Sequence, residues 1–205
     1  MSGDNGPSPV HRLFGLDTVI LAEPRRSLLR RYTGPKMHMA AEDGTVLAHL
    51  QERGTFSYVL RDLDERPVLG VDLVSGRGGF ARPGFLVTGP ASELIAEVRS
   101  PGRLRHARLL VVRTAEQGTL RTAEQGTLRI TRNALLGRAW RVEDDRDRLI
   151  AEVTVSTVRS LDGLQGYRVS FDRQAGSEQR RLVVGGLVCL QVIRRWLNTP
   201  QGKAG

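Results

Sequence analysis

Four histidines are the side chains of this 205-residue chain best suited to acid–base or metal chemistry. They are His11, His38, His49 and His106, and they are scattered without the short spacing of a metal site and without a nearby cysteine. No G-x-S-x-G motif marks a nucleophilic serine. The sequence therefore predicts no catalytic residue, no metal ligand and no cofactor. A non-enzymatic protein is expected, with an enzyme whose site the spacing hides as an alternative.

The other reactive side chains favour structural roles. Cys189 is the single cysteine, lies in an apolar run and is expected to be a buried thiol. Acidic residues in the segment 143–147 alternate with arginine, which indicates a solvated turn and argues against a pair poised for catalysis. His38 and His49 are spaced to face each other across a hairpin, the ordinary position of a cross-strand pair.

Two basic clusters are the strongest binding signal. The formal net charge is +9, and the clusters lie within residues 25–36 and 103–108. Because charge alone selects no partner, three interpretations stay open: a solvated arginine face, an anionic lipid surface and a nucleic acid backbone. Peripheral binding of anionic phospholipid headgroups is the leading functional hypothesis, and a nucleic-acid-binding or protein-interaction module is the alternative. The residues predicted to bind lipid are Arg25, Arg26, Arg30, Arg31, Lys36, Arg103, Arg105 and Arg108.

A recurring hairpin unit must position these clusters. It consists of an extended apolar-polar run, an acidic or glycine-containing turn, and a second extended run. Short strands with turns at regular spacing predict an all-β sandwich or barrel, because strand-helix alternation is missing. The unit occupies residues 36–51, 56–73, 85–100 and 139–155, with turns at 42–44, 64–67, 89–90 and 144–147, and 167–179 is a further candidate pair.

The phrase RTAEQGTL occurs twice in succession, at residues 113–128. Removing one copy leaves the same strand-turn-strand pattern as in the neighbouring units, so the second copy is expected to lengthen a hairpin. Surface hairpin ends tolerate insertions, and an insertion of even length preserves the alternation of side chains.

Residues 182–193 form an apolar run that favours a helix buried on every side, spanning about 180–196, with a central strand as the alternative. At about 1.5 Å per residue the run is too short for a bilayer, so no transmembrane span is expected. The run is bracketed by Arg180, Arg181, Arg194 and Arg195, which suits a helix that passes through a hydrophobic lumen with solvent-exposed openings at both ends.

Successive hairpins followed by one apolar helix resemble the tubby-type barrel of tubby C-terminal domains, phospholipid scramblases and LURP-one-related proteins. MHMAAEDGTVLAHLQ, AWRVEDDRDRLIAEV and the ending from YRVSFD to RRLVVGGLVCLQVIRRW carry this resemblance, which covers roughly residues 17–197. It implies a closed antiparallel barrel of about twelve strands around a central helix. Residues 1–15 are expected to be disordered, 16–198 to form the barrel domain and 199–205 to be a flexible tail.

The resemblance also implies a function. Tubby domains bind phosphoinositide headgroups through basic residues, and scramblase-type members associate with membranes, some with calcium and acylated cysteine clusters. This chain lacks a cysteine cluster, and the segment before the helix offers only Asp172 and Glu178 as carboxylates, which argues against calcium-driven scrambling. Residues 1–12 lack the apolar stretch of a secretory signal. A cytoplasmic protein, peripheral at the inner face of the plasma membrane, is therefore expected.

Overall fold

The computed structural model describes residues 13–23, 36–75, 83–100, 109–116, 119–120, 126–132, 138–157 and 165–197. Their secondary structure is almost entirely strand until the last element, which is a helix. In chain order the elements are β1 (Thr18–Ala22), β2 (Met37–Ala41), β3 (Val46–Gly54), β4 (Ser57–Asp62), β5 (Pro67–Ser75), β6 (Gly84–Thr88), β7 (Leu94–Arg99), β8 (Leu109–Glu116), β9 (Thr119–Leu120), β10 (Thr127–Arg132), β11 (Ala139–Glu143), β12 (Leu149–Thr157), β13 (Gln165–Phe171) and α1 (Ser177–Leu197).

Twelve of these strands form a closed antiparallel barrel, which is the architecture that the family resemblance implied. Neighbours in the chain pair with each other, β1 pairs with β13, and the pairing of β8 with β10 closes the ring. The short strand β9 pairs with the tip of β8 outside the ring. Closure leaves no long unpaired edge, so the backbone groups of the wall bond to one another.

Because successive strands are antiparallel, their connections alternate between the two ends of the barrel. We call the end that carries the turns 41–45, 62–66, 89–93 and 144–148 the acidic end. The opposite end, where β1, β3, β5 and β7 finish, is called the basic end. Helix α1 starts at the acidic end, directly after β13, and runs toward the basic end.

The helix fills the lumen of the barrel. Every residue from 182 to 193 is buried, and the closest backbone packing of α1 is against strands that include β5, β7, β8 and β12. Val188, for example, is 1% exposed. Burial of a side chain of this size contributes about 1.5–3 kcal/mol, which is why an all-round apolar pattern specifies this position. The predicted helix is confirmed, and the alternative of a central strand is wrong.

The glycine pair in the middle of α1 permits its close approach to the wall. A β-carbon on Gly186 would lie 2.5 Å from Ile130 Cδ1, and one on Gly185 would lie 3.0 Å from Val87 Cγ1. Glycine costs a helix about 1 kcal/mol relative to alanine. The tight fit against β10 and β6 is the physical reason that the weaker helix former occupies these two sites.

Arg180 is buried, although the sequence analysis expected it at a solvent-exposed opening of the lumen. It is 6% exposed, and its guanidinium donates to the carbonyl oxygens of Leu16 (2.6 Å) and Ala175 (2.9 Å) and to the Asp17 carboxylate (3.0 Å). Its Cζ also lies 5.2 Å from the ring centroid of Phe171. Arg180 therefore holds the segment before β1, the end of β13 and the start of α1 together. The expectation of a solvated Arg180 was wrong because two carbonyls and the Asp17 carboxylate accept its hydrogen bonds in place of water.

The one polar residue within the apolar run is also satisfied. Gln191 is 3% exposed, accepts a hydrogen bond from the Tyr167 hydroxyl at 2.7 Å, and donates to the Glu23 carboxylate at 2.6 Å. A buried polar group without partners would cost about 1–3 kcal/mol. This chain of bonds fixes the rotation of α1 relative to β13 and the end of β1.

The four acidic-end turns share one backbone geometry. In each, the N–H of the first residue donates to the carbonyl of the fifth, and the N–H of the fourth donates to the carbonyl of the first, at 2.8–3.2 Å. The fourth residue has positive φ and is Gly44, Glu65, Ser92 or Asp147. Such loops pair with a bulge in the following strand. The recurring hairpin unit seen in the sequence is thus confirmed as a repeated structure.

Each of these turns is followed by a bulge whose extra residue is aliphatic. The register shifts leave one residue unpaired at the start of β3, β5, β7 and β12. Three of these residues are at most 9% exposed, and the first is partly buried against the core. In chain order they are Leu47, Val68, Ile95 and Ile150. The bulges therefore turn apolar side chains inward and close the acidic end.

Two boundaries differ from the sequence-based expectation. Leu13 and Phe14 are 5% and 1% exposed within the core, so the ordered domain includes residues assigned to the disordered segment 1–15. The candidate hairpin at 167–179 is wrong, because one strand there leads directly into α1. Residues 1–12 and the tail at 198–205 lie outside the described residues.

The tandem repeat extends the hairpin between β8 and β10. Arg113 of the first copy pairs with Thr127 of the second, and the Thr114 N–H donates to the Gly126 carbonyl at 3.0 Å. Of the described residues between these pairs, Ala115 and Glu116 pair with Leu120 and Thr119 beyond the last pair of the barrel wall. The wall itself uses the first copy on one strand and the second copy on the other.

Candidate functional site: the basic end of the barrel

Five described cations stand at strand ends around the basic end. They come from strands that are not all consecutive in the sequence, so only closure of the barrel brings them to one rim. They are Lys36, Arg53, Arg99, Arg132 and Arg138. A ring of cations at one end is the electrostatic arrangement that attracts a phosphate-bearing surface.

Lys36 is the one predicted lipid-binding residue within the described part of the chain. It precedes β2, and its Nζ lies 2.8 Å from Glu52 Oε2 on the neighbouring strand. Its side chain is 18% exposed. Glu52 therefore neutralises part of its charge, and Lys36 is a weaker candidate for headgroup contact than its sequence position suggested.

Arg53 is better placed for such contact, although the sequence analysis did not single it out. It is the extra residue of a bulge between β3 and β4, and its side chain is 58% exposed. Its guanidinium lies 3.7 Å from Asp72 on β5. An exposed ion pair at this distance contributes about 0–1 kcal/mol, so exchange of the carboxylate for another anion would cost little.

The other three cations extend the rim around the barrel. Arg99 ends β7, is 65% exposed and bonds to the buried Glu97 carboxylate at 2.5 Å. Arg132 ends β10, and Arg138 directly precedes β11 and is exposed. These residues could have been predicted from the sequence only by their location at strand ends, and that prediction requires the strand boundaries to be known first.

The remaining predicted residues, Arg25, Arg26, Arg30, Arg31, Arg103, Arg105 and Arg108, lie outside the described residues. The strand residues that flank them do not. Ala22 and Met37 flank the first cluster, and Arg99 and Leu109 flank the second, all at the basic end. The two clusters are far apart in the sequence, yet the chain leaves and re-enters the barrel at the same end on both occasions.

The acidic end uses its carboxylates to stabilise turns. Asp62 is 6% exposed and accepts the backbone N–H groups of Asp64 and Arg66. Asp144 is 4% exposed and accepts those of Arg146 and Arg148 at 2.9 Å each, while the Arg148 guanidinium binds its second oxygen. The expectation of a fully solvated turn at 143–147 is therefore wrong for Asp144.

These contacts set the acidity of Asp144. Its burial would raise the pKa, but the hydrogen bonds from Arg148 and Arg146 and the charge of Arg148 outweigh it, so the pKa lies below its ordinary value. The pKa of Asp43 is also lowered, by hydrogen bonds from Thr45. Asp172, one of the two carboxylates that the sequence analysis judged too few for a calcium site, accepts the N–H of Gln174 in the turn before α1.

The residues with catalytic or metal-binding chemistry lie elsewhere. His38 and His49 are register partners as predicted, with ring centroids 6.4 Å apart, and His49 Nδ1 is buried without a hydrogen-bond partner among the described residues. Cys189 is buried in the lumen, and burial raises the pKa of its thiol far above the ordinary value. Within the described ranges no three histidine, cysteine or acidic side chains group as metal ligands.

Comparisons with known proteins support the fold. No family model matches the chain, and no match is found among curated protein sequences. Among solved structures, the chain is similar to the X-ray structure of a protein from Arabidopsis thaliana, with a TM-score of 0.52, 15% identity, and coverage of 89% of this chain and 92% of that chain. At this identity the likeness concerns the barrel fold alone. The resemblance to the tubby-type family stays a prediction.

None of the helices in the described part of the chain is long and apolar enough to cross a membrane.

Proposed function

We propose that this protein is a non-enzymatic, tubby-like and scramblase-related module that binds anionic phospholipid peripherally through the basic end of its barrel. The proposal rests on the shared location of the strand ends that flank the two basic clusters. Both predicted basic clusters are anchored to strand ends at the same end as Arg53, Arg99 and Arg138. Each basic residue near an anionic membrane contributes about 1 kcal/mol of attraction, so several on one end bring the protein to the surface in one orientation.

The acidic end supports the same orientation. Its exposed turns carry carboxylates such as Asp43, Asp64 and Asp145, which an anionic surface repels. The protein would therefore sit with the basic end toward the membrane and the acidic end toward the solvent. The inner face of the plasma membrane, which is rich in anionic lipid, is the proposed location of this cytoplasmic protein.

Vesicle sedimentation tests the proposal. We expect the protein to sediment with vesicles of phosphatidylcholine and phosphatidylserine, to ignore vesicles of phosphatidylcholine alone, and to be released as salt rises, because the attraction is screened over about 8 Å at physiological ionic strength. Duplex DNA serves as the competitor. Equal sedimentation with both vesicle types would contradict the proposal, and tighter binding to duplex DNA at matched salt would favour the nucleic acid alternative.

A further inference from the structure

Two bulges at the basic end turn their extra residues outward, and one of these residues is apolar. Val74 is unpaired between Leu73 and Ser75 of β5, just as Arg53 is unpaired in β3. Val74 is 54% exposed, and Arg53 is 58% exposed at its side chain. Bulges often re-aim a side chain at a functional surface. Here two of them place a valine and an arginine on the outer face of the barrel, near its basic end.

The position of Val74 is unusual for an exposed aliphatic side chain in this molecule. Among the described residues, Leu63 and Val74 are the two large hydrophobic side chains that are exposed, at 60% and 54%. Leu63 lies in an acidic-end turn between Asp62 and Asp64, where an anionic surface would be repelled. Val74 lies at the opposite end, two residues after Asp72, whose carboxylate is the ion-pair partner of Arg53.

Asp72 links the two outward residues. It lies two positions before Val74 on the same face of β5, accepts the Ser57 hydroxyl at 2.5 Å, and lies 3.7 Å from the Arg53 guanidinium. Arg53 thus lies across β4 from the segment that carries Val74, and its carboxylate partner is distant and only partly buried. A phosphate diester is an anion like the Asp72 carboxylate, and it can accept two hydrogen bonds from the guanidinium.

We propose that Val74 is the point at which the protein enters an anionic phospholipid bilayer, with Arg53 binding a lipid phosphate beside it. Arginine at the headgroup level and an aliphatic side chain just below it match the polarity profile of a bilayer surface. A nucleic acid backbone would satisfy Arg53 but leave Val74 in water. This inference rests on the proposed function, because insertion requires that the basic end face the membrane.

A site-specific fluorescent label tests insertion. Val74→Cys is labelled with a polarity-sensitive thiol dye, and Leu63→Cys, equally exposed at the acidic end, is the matched control. Native Cys189 is buried and its thiol stays protonated, so the unsubstituted protein should take up no dye. We expect the dye at position 74 to shift to shorter wavelength with phosphatidylserine-containing vesicles and to be quenched by lipids with brominated acyl chains. The dye at position 63 should respond to neither.

Sedimentation of the same labelled samples separates the two proposals. Sedimentation with anionic vesicles but no spectral shift at position 74 would overturn insertion and leave the proposed function intact. Absence of sedimentation would overturn both. As an independent check, Val74→Asn and Arg53→Gln should each weaken vesicle binding about fivefold, whereas Leu63→Asn should leave it unchanged. Equal effects of Val74→Asn and Leu63→Asn would also contradict insertion.

Discussion

The four bulges of the acidic end turn aliphatic side chains such as Ile150 toward the core, whereas the two outward bulges of the basic end expose Arg53 and Val74. The same backbone device therefore serves two purposes. At the acidic end it follows a tight turn and adds apolar volume that closes the lumen. At the basic end it presents side chains to the surroundings.

Charged side chains divide in the same way. At the acidic end, carboxylates such as Asp62 and Asp144 accept hydrogen bonds from backbone N–H groups of their own turns. Cations of the basic end, such as Arg53 and Arg138, remain exposed. Substitutions of the buried carboxylates at the acidic end should consequently change stability, and substitutions of the exposed cations at the basic end should change binding.

The largest expected contrast is between two bulge residues. Ile150→Ala should lower the free energy of unfolding by about 2–4 kcal/mol, because it leaves a cavity at a position that is 4% exposed. Val74→Ala, at a position that is 54% exposed, should change it by less than about 0.5 kcal/mol. Chemical denaturation of both variants measures the difference. Similar losses for the two would show that the basic-end bulge is also structural.

The second contrast concerns the turn carboxylates. Asp144→Ala should cost about 2–3 kcal/mol, since it removes a carboxylate that is 4% exposed and leaves the backbone N–H groups of Arg146 and Arg148 without their acceptor. Asp43→Ala is the matched control, because the Asp43 carboxylate accepts a similar bond but is fully exposed. The control should melt close to the unsubstituted protein. An equal loss in both variants would mean that burial is not the deciding factor.

Acid should remove the contribution of Asp144. Its pKa is lowered in the folded protein, so the unfolded chain takes up this proton more readily. The contribution is fully present above the ordinary carboxyl pKa of about 4 and is lost as pH falls through the lower folded pKa. We therefore expect the difference in unfolding free energy between the unsubstituted protein and Asp144→Asn to shrink as pH falls below about 4. A difference that stays constant with pH would contradict this assignment.

Much of the wall could be predicted from the sequence because local chemistry dictates it. Acidic and glycine-containing turns at 42–44, 64–67 and 144–147 specify where strands reverse, and an apolar run without a polar face specifies the buried helix. Cross-strand pairing of His38 with His49 follows from the length of one turn. All of these signals lie within a few residues of what they determine.

The rest depends on contacts between distant segments. The burial of Arg180 requires carbonyls from residues 16 and 175, and the need for Gly186 is set by Ile130 on another strand. Val68 and Val74 are the same residue type in the same strand, β5, so the sequence does not show that one bulge turns its side chain inward and the other outward. The complete order of strands was also needed to show that the strand residues flanking both basic clusters lie at the same end of the barrel.

The tandem repeat provides a smaller effect at the acidic end. Deleting residues 121–128 should change the free energy of unfolding by less than about 1 kcal/mol. Because the copies are identical, residues 118–120 can take the wall positions of 126–128, and Thr114 keeps a glycine carbonyl as its partner. A three-residue hairpin loop would remain. Thermal melting checks this, and loss of the folded state would show that the insertion supports the core.

The division of labour between the two ends is tested most directly by two variants with the same change in net charge. One replaces arginines of the segment that connects the end of β1 to the start of β2 with glutamine, and the other replaces exposed acidic-end arginines. The sets are Arg25, Arg26, Arg30 and Arg31 for the first variant, and Arg66, Arg113, Arg146 and Arg173 for the second. Affinity for phosphatidylserine-containing vesicles should fall by roughly two to three orders of magnitude in the first variant and by less than about tenfold in the second, with little change in Tm for either. Equal losses of affinity in the two variants would show that net charge alone drives binding and would contradict a membrane-binding basic end.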